Sequence, residues 1–299
     1  MAYRFDKAET VENGLRRIAR EQIDEALGVI RSTDLPLERI IHEVRRRCKA
    51  LRALIRLVRP GFADYARENA VFRGISNLLA HARDGQVLAE TLEELVEDDF
   101  DEATQRLVVR LRQRFTRQRA RAAAAREALA ECAMQLAAAR TRVTDWTLGA
   151  DGWDALSGGF AKTARAARHA MKALADEDDA ECSHEWRKHA KYHWHHMRLL
   201  RGVAPHAAEE RIKAAERLSD LLGERHDFDM FVATLAGHPR RSVESVAVGH
   251  LAAKARKRTD KLQERARKIG ETLFDEKARK LAEAWGERWY DWARVEEAA

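Results

Sequence analysis

The sequence predicts an all-α fold built from two related helical halves, and three observations carry that reading. Only four prolines interrupt 299 residues, and Val and Ile are sparse beside Ala, Leu, Arg and Glu, a composition that favours helix along most of the chain. Between a few breaks rich in Gly, Pro, Asp or Ser, the apolar residues recur with helical period, and no stretch reads as a strand. A block of sequence also recurs about 142 residues further on.

Taken in order, the breaks fall at 32–36, 60–61, 98–101, 148–159, 176–183, 202–205 and 237–239, and they delimit about eleven helices. The first segment carries Arg16, Arg17 and Arg20. The second opens with His42-Glu-Val-Arg-Arg-Arg-Cys-Lys49 and runs to Arg59. Next come Ser76-Asn-Leu-Leu, Asp84 and Thr91-Leu92, and a long basic stretch at 103–146 closes the half. Glycine-rich 148–159 is the natural seam. Beyond it the landmarks return in the same order: Lys162, Arg165, Arg168 and Lys172; His184-Glu-Trp-Arg-Lys-His-Ala-Lys191; Ser219-Asp-Leu-Leu, Asp227 and Thr234-Leu235; then basic 242–296. The chain therefore reads as a single module, 1–299, made of an N-terminal half, 1–150, and a C-terminal half, 151–299, each of a size for a helical bundle. A solenoid would need several shorter units.

Charged residues make up 35% of the chain, yet the net charge is only +6, so local patches matter more than the total. Cys48, Cys132 and Cys182 are far apart and form no CxxC pair, which points to a reducing cytosol rather than a disulfide framework or structural zinc. The opening MAYRFDKAET is no signal peptide, and no apolar run nears the roughly 20 residues of a membrane span. A cytoplasmic protein without a membrane partner is expected.

Residues His42 to Arg59 form the informative helix. At about 100° per residue, His42, Arg45, Arg46, Lys49, Arg52 and Arg56 share an arc of roughly 120°, opposite Val44, Cys48, Leu51, Ile55 and Val58. A solvated face would interleave Glu with Lys, whereas here five cations and a histidine stand together. The second copy repeats the pattern with His184, Arg187, Lys188, Lys191, His195 and Arg198, opposite Trp186, Ala190, His193, Met197 and Leu200. Adjacent like charges repel unless an anion neutralises them, so both faces are read as anion-binding. Arginine offers a planar fork, lysine a point charge, and histidine a donor protonated readily beside phosphate. A stripe about 27 Å long suits a linear polyanion. Arg16, Arg20, Arg117, Arg165 and Arg258 are further candidates, drawn from the flanking helices. Eight arginines and no acid lie between Glu102 and Glu127.

The segments HEVRRRCKALRALIRLVRP and HEWRKHAKYHWHHMRLL, each followed by an LL…(R/H)D…L segment, resemble the two signature helices of the CHAD family, the conserved histidine α-helical domain. The resemblance covers essentially the whole chain. It implies two four-helix-type bundles related by a pseudo-twofold axis around a basic central groove or pore. Non-catalytic binding of inorganic polyphosphate is also implied, with recruitment to polyphosphate granules or to enzymes of polyphosphate metabolism. The implied ligand residues are His42, Arg45, Arg46, Lys49, Arg52 and Arg56 with His184, Arg187, Lys188, Lys191 and Arg198. The second copy departs by carrying Trp194 where the first has Arg52, and by adding His189, His193, His195 and His196.

Other readings compete with this one. His189 and His193 have the i,i+4 spacing of a zinc or nickel pair, but no Cys or acid joins them; no metal or cofactor is expected. Asp84 and Asp227 read as N-caps, Glu43 and Glu185 as braces for neighbouring cations, and Trp285, Trp289 and Trp292 as core or interface. No nucleophile beside a base, P-loop or paired-carboxylate constellation is present, so no catalytic residue is assigned. The alternative is a nucleic-acid or general polyanion-binding helical protein. It is disfavoured because the stripe lacks stacking aromatics and no helix-turn-helix motif appears. A scaffold for acidic proteins is a third reading.

Overall fold

The computed structural model describes residues 3–96, 100–119, 122–177, 179–237 and 242–294, with side chains for all of these except 81–84, 117–119, 122–124 and 242–244. Among them are eleven α-helices, a single 3-10 turn and no strand. The helices are α1 (Val11–Arg31), α2 (Leu37–Leu57), α3 (Tyr65–Leu78), α4 (His81–Glu93), α5 (Glu102–Arg119) and α6 (Ala122–Arg142), followed by the turn Val143–Asp145. After it come α7 (Gly152–Asp176), α8 (Ala180–Leu199), α9 (Pro205–Ala236), α10 (Ser242–Leu273) and α11 (Ala278–Arg294).

Local chemistry accounts for the ends of several helices. Thr10 caps α1 by accepting from the Asn13 amide, and Asp179 caps α8 by accepting from the Cys182 amide. Pro205 opens α9 at its first turn, where a missing N–H is harmless. The seam is shorter than the glycines suggested. Gly152, at φ +56°, starts α7, and Gly158 and Gly159 lie inside that helix. Gly159 is there because α7 crosses the end of α2 so closely that a Cβ would sit 1.8 Å from the Leu57 carbonyl oxygen. The repeat is visible in the elements: α1, α2 and α3 with α4 correspond to α7, α8 and α9. The copies differ at Leu79–Ala80, where the first is broken while α9 runs on for 32 residues. Asp227 is consequently mid-helix and Asp84 lies within α4, so neither is an N-cap.

Two apolar cores form, and elements cross between them. The first gathers α1, α2, α3 and α6 with the start of α7, the end of α8 and α11. Trp285 and Trp289 are buried in it and Trp292 packs against it. The second gathers α9, α10, the end of α7 and the start of α8, with α4 and α5 from before residue 150. Trp194 of α8 packs against both. Helices α2 and α8, which carry the cationic stripes, meet where the two cores adjoin: the His196 Nε2 lies 3.0 Å from the Ala53 carbonyl oxygen.

Candidate anion-binding site

On α2 the apolar arc is buried as the periodicity demands: Val44, Cys48, Leu51 and Ile55 are all fully enclosed. The opposite arc meets α3, α4, α8 and α9. Arg45 donates to the Ser76 carbonyl oxygen of α3, and Arg52 Nε donates to Asn69 Oδ1 at 3.1 Å. The Arg56 guanidinium lies 4.3 Å from the centre of the Tyr192 ring on α8 and 5.9 Å from that of Tyr65. Arg45 and Lys49 line a cavity of about 90 Å³ with Arg187, His226, Asp227, Val87, Leu88 and Met230. Arg46, by contrast, is exposed and donates from Nε and Nη2 to a single Glu43 oxygen, Oε2, at 2.8 and 2.6 Å.

On α8, Lys188 pairs with Glu185, so both signature glutamates brace a neighbouring cation as the sequence suggested. The His184 ring is 5.2 Å from that of His226. Arg187 lies so close to α9 that a Cβ on Gly223 would sit 3.5 Å from its guanidinium. Lys191 Nζ is 4.0 Å from the centre of the Trp194 ring, and Arg198 lies over Trp194 at 4.6 Å and over Tyr3 at 5.4 Å. His195 leaves the predicted stripe, because it is 2% exposed and packs edge-on against Tyr3 and Trp194. His193 is fully buried between Phe160 and Phe274 while His189 faces Glu185, so the i,i+4 pair does not converge.

The electrostatics are those of a cation cluster. Burial, and then Arg187, Lys188 and Lys49, hold the His184 imidazole below its ordinary value. His226 is pushed down to about 4 by burial, Arg187, His184 and Lys49. His189 is likewise pushed to about 4 by burial, Lys188, Arg56 and Arg59. Without an anion, these imidazoles are held toward the neutral form by burial and the surrounding cations. Burial also lowers Arg52 and Arg59, with Arg56 adding to it. The Nε atoms of Arg56 and Arg59 and the Nδ1 of His189 are buried without a hydrogen-bond partner. Such groups cost about 1–3 kcal/mol each unless something satisfies them.

Other predicted residues lie elsewhere. Arg16 Nε donates to the Trp146 carbonyl oxygen at 2.7 Å and pairs with Glu12 at 2.9 Å, while Arg20 donates to Thr144 Oγ1 at 3.1 Å. Both serve the packing of α1 against the turn after α6. Arg165 is exposed in a groove between α7 and α11 beside Trp153 and Arg279. Arg258 is exposed on α10, where its charge acts on Glu94. His42 lines a separate pocket of about 320 Å³ with Arg39, Gln86 and Glu90. The Arg117 side chain lies outside the described residues. Sequence reasoning missed Tyr65, Tyr192, Arg59 and His226. His226 and Arg59 stood in the quoted segments, but only the fold shows which neighbours they meet.

No curated protein matches the chain. The family model of the CHAD domain matches residues 17–236, a span that includes both cation-bearing helices α2 and α8 and the whole of α9. With most of its length matched in this way, the chain belongs to the CHAD-domain family.

Proposed function

We propose that the protein binds inorganic polyphosphate without chemical conversion, along the cations where α2, α8 and α9 meet. The observation that carries the reading is the run Arg52, Arg56 and Arg59. Among the described residues no carboxylate pairs with any of the three, and two of them hold buried Nε donors with no partner there. Lys49, Arg45 and Arg187 continue the run into the cavity. Phosphate oxygens supply what those donors lack, and a polymer spans the stripe where a single anion does not. Membership of a family associated with polyphosphate binding supports the same ligand. The corresponding elements α1–α4 and α7–α9 support a pseudo-twofold arrangement of two bundles around this site. Recruitment to polyphosphate granules in the cytoplasm, or to enzymes of polyphosphate metabolism, follows from the same affinity.

Nucleic acid fits less well for a reason the sequence alone did not give. Aromatic rings do line the stripe, but Arg56 lies against Tyr192 and Lys191 and Arg198 lie against Trp194, which leaves those faces covered against stacking bases. The test is calorimetric titration with long-chain polyphosphate at about 150 mM salt, with triphosphate and single-stranded RNA alongside. Saturable binding of polyphosphate with weak binding of the others is expected. Equal binding of RNA would make the protein a general polyanion binder, and no polyphosphate binding would sink the proposal.

A further inference from the structure

The cations of this site are held in two different ways. Arg46 donates twice to one Glu43 oxygen and Lys188 lies on Glu185; in each case a carboxylate orients the cation and cancels its charge. Arg56 is held otherwise. Among the described residues no carboxylate pairs with it, and its guanidinium lies over the Tyr192 ring at 4.3 Å, with Arg52 at 5.9 Å from the same ring. Tyr192 is 5% exposed on α8, so the ring that holds these α2 cations comes from the other signature helix. Trp194 plays the matching part for Lys191 and Arg198, and it occupies the repeat position of Arg52. An aromatic face attracts a cation through its quadrupole without neutralising it. Such a cation keeps its charge for a ligand and is already oriented, which lowers the entropy lost on binding.

We propose that Tyr192 is a positioning residue of the anion site, whose ring holds Arg56, and with it Arg52, ready for phosphate oxygens while leaving their charge uncompensated. Trp194 does the same for Lys191 and Arg198. The inference rests on the polyphosphate reading above.

The test compares polyphosphate affinity in the wild type, Tyr192→Phe, Tyr192→Leu, Arg56→Gln and the Tyr192→Leu/Arg56→Gln double variant, with circular dichroism as the check on fold. Tyr192→Leu should weaken binding about two- to thirtyfold, the span that cation–π strengths allow. Tyr192→Phe keeps the ring and should restore affinity to within about twofold of wild type. In the Arg56→Gln background the Leu substitution should cost much less, because only the more distant Arg52 still lies over the ring. If the Leu variant does not fold, Tyr192→Met fills a similar volume without a π-face. Undiminished affinity in a folded Leu or Met variant overturns the inference. So does a loss that persists undiminished without Arg56, or an equal loss in Phe, which would assign the hydroxyl. A wild-type protein that binds no polyphosphate is a different result, and it overturns the proposed function itself.

Discussion

Polyphosphate binding should take up protons, because imidazoles stand uncharged in the cation field. His226 and His189 are each pushed down to about 4, by burial and then by arginines, lysines and a neighbouring histidine. At pH 6 a group with that value is protonated only about 1% of the time. Phosphate oxygens beside it reverse the sign of the local field. A bound chain that restores the ordinary imidazole value near 6.5 lifts that occupancy to roughly three-quarters, so each ring gains about 0.75 proton. The ligand raises the pKa, the complex holds more protons, and affinity therefore grows as pH falls. The window lies between about 6.5 and about 4 and is flat on either side. Between pH 7.5 and 6 each imidazole contributes about fourfold in affinity, and the two together about fourteenfold. Calorimetry at pH 6 in two buffers of different ionisation enthalpy counts the protons, and His226→Gln and His189→Gln should each remove a share. A heat independent of buffer, or an affinity flat from pH 7.5 to 5.5, would refute this reasoning.

Lys49→Ala should weaken polyphosphate binding about tenfold, as loss of a charge-assisted contact does. Lys191→Ala should lose less than Arg52→Ala, because Asp220 and Glu216 already answer part of the Lys191 charge, and Arg46→Ala stays within about twofold because Glu43 already neutralises that cation; titration calorimetry ranks the variants. Gly159→Ala forces a Cβ against the Leu57 carbonyl oxygen and should destabilise the fold by about 3 kcal/mol or more in urea unfolding. Stability should also fall with acid. His193 and His195 are held well below the ordinary value and His196 at about 3, all by burial. Below about pH 6.5 the unfolded chain binds protons that these rings refuse, so stability present above that pH is lost as pH drops. The urea midpoint at pH 5 should lie below that at pH 7.5, and an unchanged midpoint contradicts it.

The helices and the α2 stripe were legible in the sequence because both follow from period alone. Val44, Cys48, Leu51 and Ile55 are buried where the wheel puts them, and nothing beyond the helix is needed to place Arg45, Lys49, Arg52 and Arg56 opposite. What could not be read was which element each face meets. His195 sits in the cationic arc by angle, yet Tyr3 and Trp194 cover it. Arg16 and Arg20 stand in the sequence as bare cations, and only the fold shows that they donate to the Trp146 carbonyl and the Thr144 hydroxyl. Gly158 and Gly159 read as a linker because a glycine needed for a close helix crossing has the same letter as one needed for a turn. Tyr192 was passed over because its role depends on an arginine 136 residues away in the sequence.

The repeat explains why the two stripes should not contribute equally. At matching positions α3 carries Arg73 and Asn77 where α9 carries Glu216 and Asp220. Arg73 adds to the cationic field that lowers Arg52, whereas Asp220 and Glu216 act the other way on Lys191, and Glu216 does so on Arg198. A cation beside a carboxylate has part of its charge answered before any ligand arrives, and a phosphate must then approach that carboxylate as well. A cation beside another cation has gained nothing yet and gains most when an anion enters. The two helices carry the same stripe, but their neighbours differ. The ordering of Arg52 above Lys191 follows from the residues of α3 and α9 that adjoin them.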